Sequence, residues 1–314
     1  MQLVSDSSLN ELRFALFDSG VGGFSVLVEL ANALAGFDFD FDPEIFYLAD
    51  TARCPYGPKS EAQITGFVEQ ISKWYLGRKV NNFVMACNTS AAIASNKLRL
   101  WQECPVWDLI NLTCNDEVLK YNKILVLATL ATVNSKAFSN ALQAAKPDLV
   151  VEELASGELV NIVETGDFSS INTRNVLKYY ADYAVNNKFD AVIFGCTHFP
   201  FLIDQFRKYL PESSRIDLIN PAKYLASQLG YKFKAKSGLS SGRSLRSASD
   251  YIKNTRFFTT GNPDNFAIQV NKFLNLSTDR IEYVDVQELE QCKVTVNSPN
   301  HHYINDLNII PKFA

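Results

Sequence analysis

The sequence predicts an α/β protein of two pseudo-symmetric lobes, each a mainly parallel sheet flanked by helices, with the functional site between the lobes. Three observations lead there: short apolar runs alternate with longer helix-like stretches, the residues directly after the runs are rich in reactive and polar side chains, and two of the runs end in matching fashion.

Residues 13–17, 45–49, 82–86, 124–128, 149–154, 191–195 and 216–219 read as strands. Helices are expected at 24–34, 61–76, 91–101, 135–145, 173–185, 201–209 and 221–229. A further strand at 257–260 leads through Gly261-Asn262-Pro263, a turn with proline at the helix start, into a helix over 263–274. From residue 285 onward no clear periodicity is visible. A chain of 314 residues favours two domains, and the expected division places residues 1–112 with 220–314 in one lobe and 113–219 in the other.

Composition excludes several classes. Hydrophobic residues make up 47% and charged residues 20%, and no run of about 18 apolar residues appears, so no membrane span is expected. Met1 to Asn10 lack the basic start and apolar centre of a secretory signal, so the expected compartment is the cytoplasm. A net charge of -4 argues against nucleic acid and for a small-molecule partner. The six cysteines show no C-x-x-C pair and only three histidines accompany them, so reduced thiols and no metal site are expected. The segment from 232 to 246 carries Lys232, Lys234, Lys236, Arg243 and Arg246 without an acidic residue and reads as a solvated loop or insertion; His301-His302 reads as a tail feature.

Ligands of open parallel sheets bind beyond the carboxyl ends of the strands. Those positions hold Asp18-Ser19-Gly20, Asp50-Thr51, Cys87-Asn88-Thr89, Thr129 to Thr132, and Cys196-Thr197-His198. Residues 82–89 and 191–198 share one pattern: an apolar strand, a small residue, cysteine, then polar residues leading toward a helix. At a helix N-terminus a thiolate is favoured over a thiol. One such cysteine would suggest a nucleophile. Two in equivalent positions suggest inversion of a stereocentre, in which one group removes a proton from one face and the other delivers a proton to the opposite face.

Such chemistry needs fixed donors for the carbanion-like species and the carboxylates. The turn Asp18-Ser19-Gly20-Val21-Gly22-Gly23 offers backbone N–H groups. It lacks the Gly-Lys-Ser/Thr of a phosphate loop, and its glycine order does not fit a dinucleotide fingerprint. Asn88, Thr89 and Thr197 supply neutral donors, and His198 is placed to tune Cys196.

Taken together, the segments 17–23, 50–60, 86–89, 131–135 and 195–200 resemble the aspartate/glutamate racemase family, and the likeness continues through 218–222 and 258–263. The resemblance implies a cofactor-independent enzyme that interconverts L- and D-glutamate and supplies D-glutamate for peptidoglycan, and thus for cell shape, with a homodimer as the expected assembly. It also implies roles for particular residues. Cys87 acts on the D-enantiomer and Cys196 on the L-enantiomer, with Asp18, Glu164 and His198 assisting. Asp18, Ser19, Tyr56, Gly57, Asn88, Thr89, Thr132, Thr197 and His198 contact substrate. The chain departs from the family pattern at Ala155-Ser156-Gly157, at Asn111-Leu112, at Asn220, in the insertion at 232–256 and in its C-terminal extension; these departures bear on assembly and control. Three alternatives stay open from the residues themselves: racemisation of aspartate or another small acid, a thiol hydrolase or transferase using Cys196 with His198, and a two-lobed solute-binding protein.

Overall fold

The structure is a computed structural model and describes residues 11–39, 41–234 and 246–292. The strands are β1 (Arg13–Asp18), β2 (Glu44–Ala49), β3 (Asn82–Met85), β4 (Val106–Asp108), β5 (Lys123–Ala128), β6 (Val150–Ala155), β7 (Ala191–Phe194), β8 (Asp217–Ile219), β9 (Arg256–Thr259) and β10 (Ile281–Tyr283). They form a six-stranded sheet in the order β10-β9-β2-β1-β3-β4 and a four-stranded sheet in the order β6-β5-β7-β8, with every pair parallel. The helices are α1 (Phe24–Ala35), α2 (Glu61–Leu76), α3 (Asn88–Trp101), α4 (Leu109–Leu112), α5 (Asp116–Leu119), α6 (Leu130–Ser135), α7 (Ala137–Ala145), α8 (Glu158–Thr165), α9 (Ile171–Asn186), α10 (Ile203–Arg207), α11 (Tyr224–Lys234), α12 (Ala248–Lys253), α13 (Pro263–Leu274) and α14 (Val286–Gln291).

The interior strands show why the sheets are parallel and helix-covered. In β1 and β5 every residue after the first is buried, and the runs Phe-Ala-Leu-Phe and Ile-Leu-Val-Leu-Ala are continuous rather than alternating. A strand must read this way when both faces lie under helices.

The two sheets repeat one plan. β1 lies between β2 and β3 as β5 lies between β6 and β7. At each of these points the chain leaves the central strand in opposite directions, which opens a crevice at the carboxyl ends. Ala86 donates its N–H to Phe17 O at 3.0 Å, and Gly195 donates to Leu127 O at 2.8 Å. Cys87 and Cys196 are therefore each one residue past the last ladder bond of equivalent strands. Gly195 is needed there because a Cβ would lie 2.9 Å from Val126 Cγ1.

After the second sheet the chain returns to the first. Phe24 of α1 packs against Tyr47 of β2 at 5.2 Å, Phe266 of α13 at 5.5 Å and Phe257 of β9 at 6.4 Å between ring centroids. Each such buried ring contributes about 1.5–3 kcal/mol. The aromatic cluster thus seats the returning segment beside β2.

Several elements differ from expectation. The edge strands β4 and β10 and the helices α4, α5, α6, α8, α12 and α14 were not among the expected elements. They are only three to eight residues long, below the length at which periodicity can be read. The helix expected over 135–145 begins at Ala137, after Lys136, whose φ of 57° separates it from α6. The helix expected over 201–209 is a 3-10 turn, Phe199–Leu202, followed by the short α10. In the basic segment, residues 232–234 belong to α11 rather than to a loop, whereas 235–245 lie outside the described residues, as do His301-His302. No helix among the described residues is long and apolar enough to cross a membrane. All six cysteines are free thiols.

Candidate active site

The strand ends of both sheets deliver the reactive groups into one buried cluster. Asp18, at the end of β1, is fully buried; its Oδ2 accepts the N–H of Gly20 at 2.8 Å and its Oδ1 accepts the hydroxyl of Thr197 at 3.1 Å. Thr197 follows β7, so this bond joins the two sheets' loops. Burial raises the Asp18 carboxyl above its usual range, with His198 and the two hydrogen bonds acting against it. Ser25 of α1 adds a second tie, donating to Thr197 O at 2.9 Å.

Cys87 caps α3 and is 4% exposed. Its Sγ donates to Ser19 Oγ at 3.9 Å. Burial first, and the charge of Asp18 second, push its thiol up to about 12, and Cys196 is close enough to add to the rise. This corrects the expectation that the helix N-terminus would favour a thiolate here. The helix end offers about half a charge, and desolvation beside a carboxylate outweighs it.

Cys196 lies in a different environment. No α-helix begins at it, since a 3-10 turn follows, so the expected helix dipole is absent. Instead His198 Nδ1 sits 3.7 Å from Cys196 Sγ, and its Nε2 sits 2.5 Å from Glu164 Oε1 of α8. Burial opposes protonation of His198, but its hydrogen bonds to Cys196 and Glu164 win and raise it well above its ordinary value. Glu164 is lowered despite burial by the same partner. One thiol thus faces a carboxylate and the other an imidazolium. The two thiols sit in unlike surroundings, and burial beside Asp18 favours the protonated form of Cys87.

The remaining positions divide in two. Asn88 is 2% exposed, yet neither its Oδ1 nor its Nδ2 has a hydrogen-bond partner among the described residues. An amide left in this condition is costly unless a ligand meets it. Thr89 Oγ1 lies 2.9 Å from Thr129 Oγ1, which lies 3.0 Å from Thr132 Oγ1, so this threonine cluster is a third tie between the loops of the two sheets. Tyr56 is buried and its hydroxyl donates to Asp50, and the neighbouring Gly57 lies against Thr129. Cys54, Asp50 and Thr129 were not among the expected site residues. Cys54 Sγ reaches Glu164 Oε1 at 4.0 Å, and burial followed by the charge of Glu164 pushes its thiol up. Only Asp50 and Thr129 carried a visible signal, their places directly after strands.

A family model for Asp/Glu/Hydantoin racemases matches residues 23–229 of this chain. The chain belongs to that family. Membership makes it a racemase, an isomerase of amino acids and related compounds. Among its relatives, a glutamate racemase of Prochlorococcus marinus (strain NATL2A) is 34% identical over 265 residues, covering 84% of this chain and 94% of that protein. The crystal structure of a glutamate racemase isoform from Bacillus anthracis superposes with a TM-score of 0.76 at 28% identity, covering 88% of this chain and 98% of the other. That of a Francisella tularensis glutamate racemase in complex with D-glutamate gives 0.75 at 29% identity, with the same coverage.

In this racemase the glycine turn is a spacing device between the loops. A Cβ on Gly22 would lie 2.4 Å from His198 Nδ1 and 2.5 Å from Thr197 Oγ1, and one on Gly20 would lie 2.4 Å from Glu164 Oε1. Gly22→Ala must therefore displace the histidine that faces Cys196. We expect a loss of activity on the order of 100-fold, the effect of displacing a group beside the reacting centre by about 1 Å. The milder Gly57→Ala, whose Cβ would meet Thr129 Cβ at 3.2 Å, should lose much less. Racemisation rates of the two variants, read by circular dichroism, decide it: equal activity would show that the turn does not set the histidine.

Proposed function

We propose that this chain interconverts L- and D-glutamate without a cofactor, using Cys87 and Cys196 as opposed acid and base. The observation that carries the mechanism is the placement of these two thiols at equivalent strand ends of the two sheets, one beside Asp18 and the other beside His198. The choice of glutamate follows the relatives, which bear that name across nearly their whole length.

In the L-to-D direction the thiolate of Cys196 removes the α-proton, and Cys87 delivers its own proton to the opposite face. Cys196 ends as a thiol and Cys87 as a thiolate, ready for the reverse reaction. The unmet amide of Asn88, the hydroxyls of Thr89, Thr132 and Thr197, Ser19, and the loop of Tyr56 and Gly57 hold the carboxylates. Asp18, Glu164 and His198 set the protonation of the thiols. On this reading the lobes are residues 1–112 with 220–314, and 113–219. The biological role is supply of D-glutamate for peptidoglycan in the cytoplasm, by a homodimer.

One observation favours a second reading. Cys196, His198 and Glu164 form a linear chain of the kind that activates a thiol nucleophile. A thiol hydrolase would form a covalent intermediate on Cys196 and would not need Cys87.

The test is to incubate the protein with L-glutamate, L-aspartate and L-glutamine separately in deuterated water, without added pyridoxal phosphate or metal. L-Glutamate should lose its circular dichroism signal while its α-hydrogen is replaced by deuterium. Faster loss with L-aspartate would move the assignment to that substrate, and loss of signal without α-exchange would rule out proton transfer at carbon.

A further inference from the structure

Asp50 stands outside the cluster of thiols and donors, yet it is fully buried and collects more hydrogen bonds than any proposed substrate contact. It follows β2. Its Oδ1 accepts the hydroxyl of Thr260 at 2.8 Å and Arg53 Nε at 3.0 Å, and its Oδ2 accepts Arg53 Nε at 2.7 Å and the hydroxyl of Tyr56. Thr260 lies just past β9, on the segment that returns after the second sheet. Its hydroxyl also accepts the N–H of Ala52 at 3.0 Å, and Thr51 and Thr259 join their hydroxyls at 2.7 Å. Arg53 extends the network to α2, reaching Gln70 Oε1 at 2.5 Å and lying 4.2 Å over the ring of Phe67.

These bonds converge on one stretch, the loop from Thr51 to Gly57. Its far end, Gly57, meets Thr129 of the other sheet, the central member of the Thr89–Thr129–Thr132 cluster. The near end is tied to β1, because Asp50 donates its N–H to Asp18 O at 2.9 Å. The loop therefore has two fastened ends and a central anchor. Burial, and then the charge of Asp50, hold the Tyr56 phenol far above its usual titration, so it remains a donor.

We infer that Asp50 is a positioning residue: with Thr260 and the Tyr56 hydroxyl it sets the Tyr56–Gly57 loop against Thr129 and so shapes the carboxylate cradle. The inference rests on the reading that glutamate is held between that loop and the threonine cluster. It gives the Tyr56 side chain a different task from substrate contact, and it makes the segment around β9 a contributor to substrate affinity although no residue of that segment belongs to the cluster.

The experiment is a steady-state and binding comparison of wild type, Asp50→Asn, Tyr56→Phe, Thr260→Val and the Asp50→Asn/Tyr56→Phe pair. If wild type does not racemise glutamate, the functional reading fails before the variants matter. With an active wild type, Asp50→Asn should raise KM for glutamate and weaken D-glutamate binding by roughly 10-fold to 100-fold, the effect of losing hydrogen bonds to a charge. The fall in kcat should be much smaller. Tyr56→Phe should raise KM as well, and the double variant should fall well short of the product of the two singles, because both remove one anchor. Thr260→Val leaves the buried ion pair in place and should raise KM several-fold; it decides the matter if Asp50→Asn does not fold. Unchanged KM in Thr260→Val and Asp50→Asn, or fully multiplicative effects of Asp50→Asn and Tyr56→Phe, would overturn the inference.

Discussion

Replacing Cys87 or Cys196 by alanine should reduce racemisation of glutamate by at least about 10³-fold, within the range a positioned acid or base contributes. The two variants should nevertheless differ in deuterated water. With Cys87 removed, Cys196 can still take the α-proton of L-glutamate and return a deuteron to the same face, so L-glutamate gains deuterium without inverting. With Cys196 removed, only D-glutamate should exchange. This crossed pattern separates loss of one base from loss of fold, which would silence both enantiomers. It also separates the racemase from a thiol hydrolase, for which Cys87→Ala would be harmless and Cys196 would carry a covalent adduct. Circular dichroism for inversion and proton NMR for exchange read the two quantities, and full racemisation by either variant would sink the two-thiol mechanism.

The second large effect is expected at Glu164. His198 is raised from 6.5, so its charged form persists above that pH and is lost as pH rises through the raised value. Glu164 is lowered from 4.5, so its carboxylate persists below that pH and is lost as pH falls through the lowered value. The pair, and the stability it adds, is therefore intact between those limits. Glu164→Gln removes the acceptor at Nε2 and part of what raises His198. The high-pH limb of activity should shift to lower pH, and kcat/KM should fall by about 10-fold to 100-fold.

The fall must be equal for the two enantiomers, because they have equal free energies and the equilibrium constant is one. What becomes unequal is the isotope effect: proton removal by Cys196 should become more rate-limiting, raising the primary deuterium effect on L-glutamate above that on D-glutamate. A pH profile that keeps its high-pH limb in Glu164→Gln would show that the carboxylate does not act through His198.

Much of this was legible in the order of residues. Continuous apolar runs such as Phe14 to Phe17 and Ile124 to Leu127 read as strands covered on both faces, which places the polar residues after them at the carboxyl edge. The matched segments ending in Cys87 and Cys196 therefore announced both the repeat and the paired thiols. The short elements were not legible. α8, which carries Glu164, spans eight residues, and β4 and β10 span three each, so their existence depends on neighbours far along the chain.

What the sequence by itself determined is the α/β frame, the two equivalent cysteines and the family, because periodicity and motif spacing are local properties. Only the tertiary structure decided the electrostatic difference between the thiols. Burial beside Asp18 outweighs the helix end at Cys87, and a 3-10 turn leaves Cys196 to His198 and Glu164. It alone also joined Asp50 to Thr260, 210 residues away, and gave the Tyr56 hydroxyl to that carboxylate. Charges act through space and solvent exclusion, and neither is written in the spacing of residues along the chain.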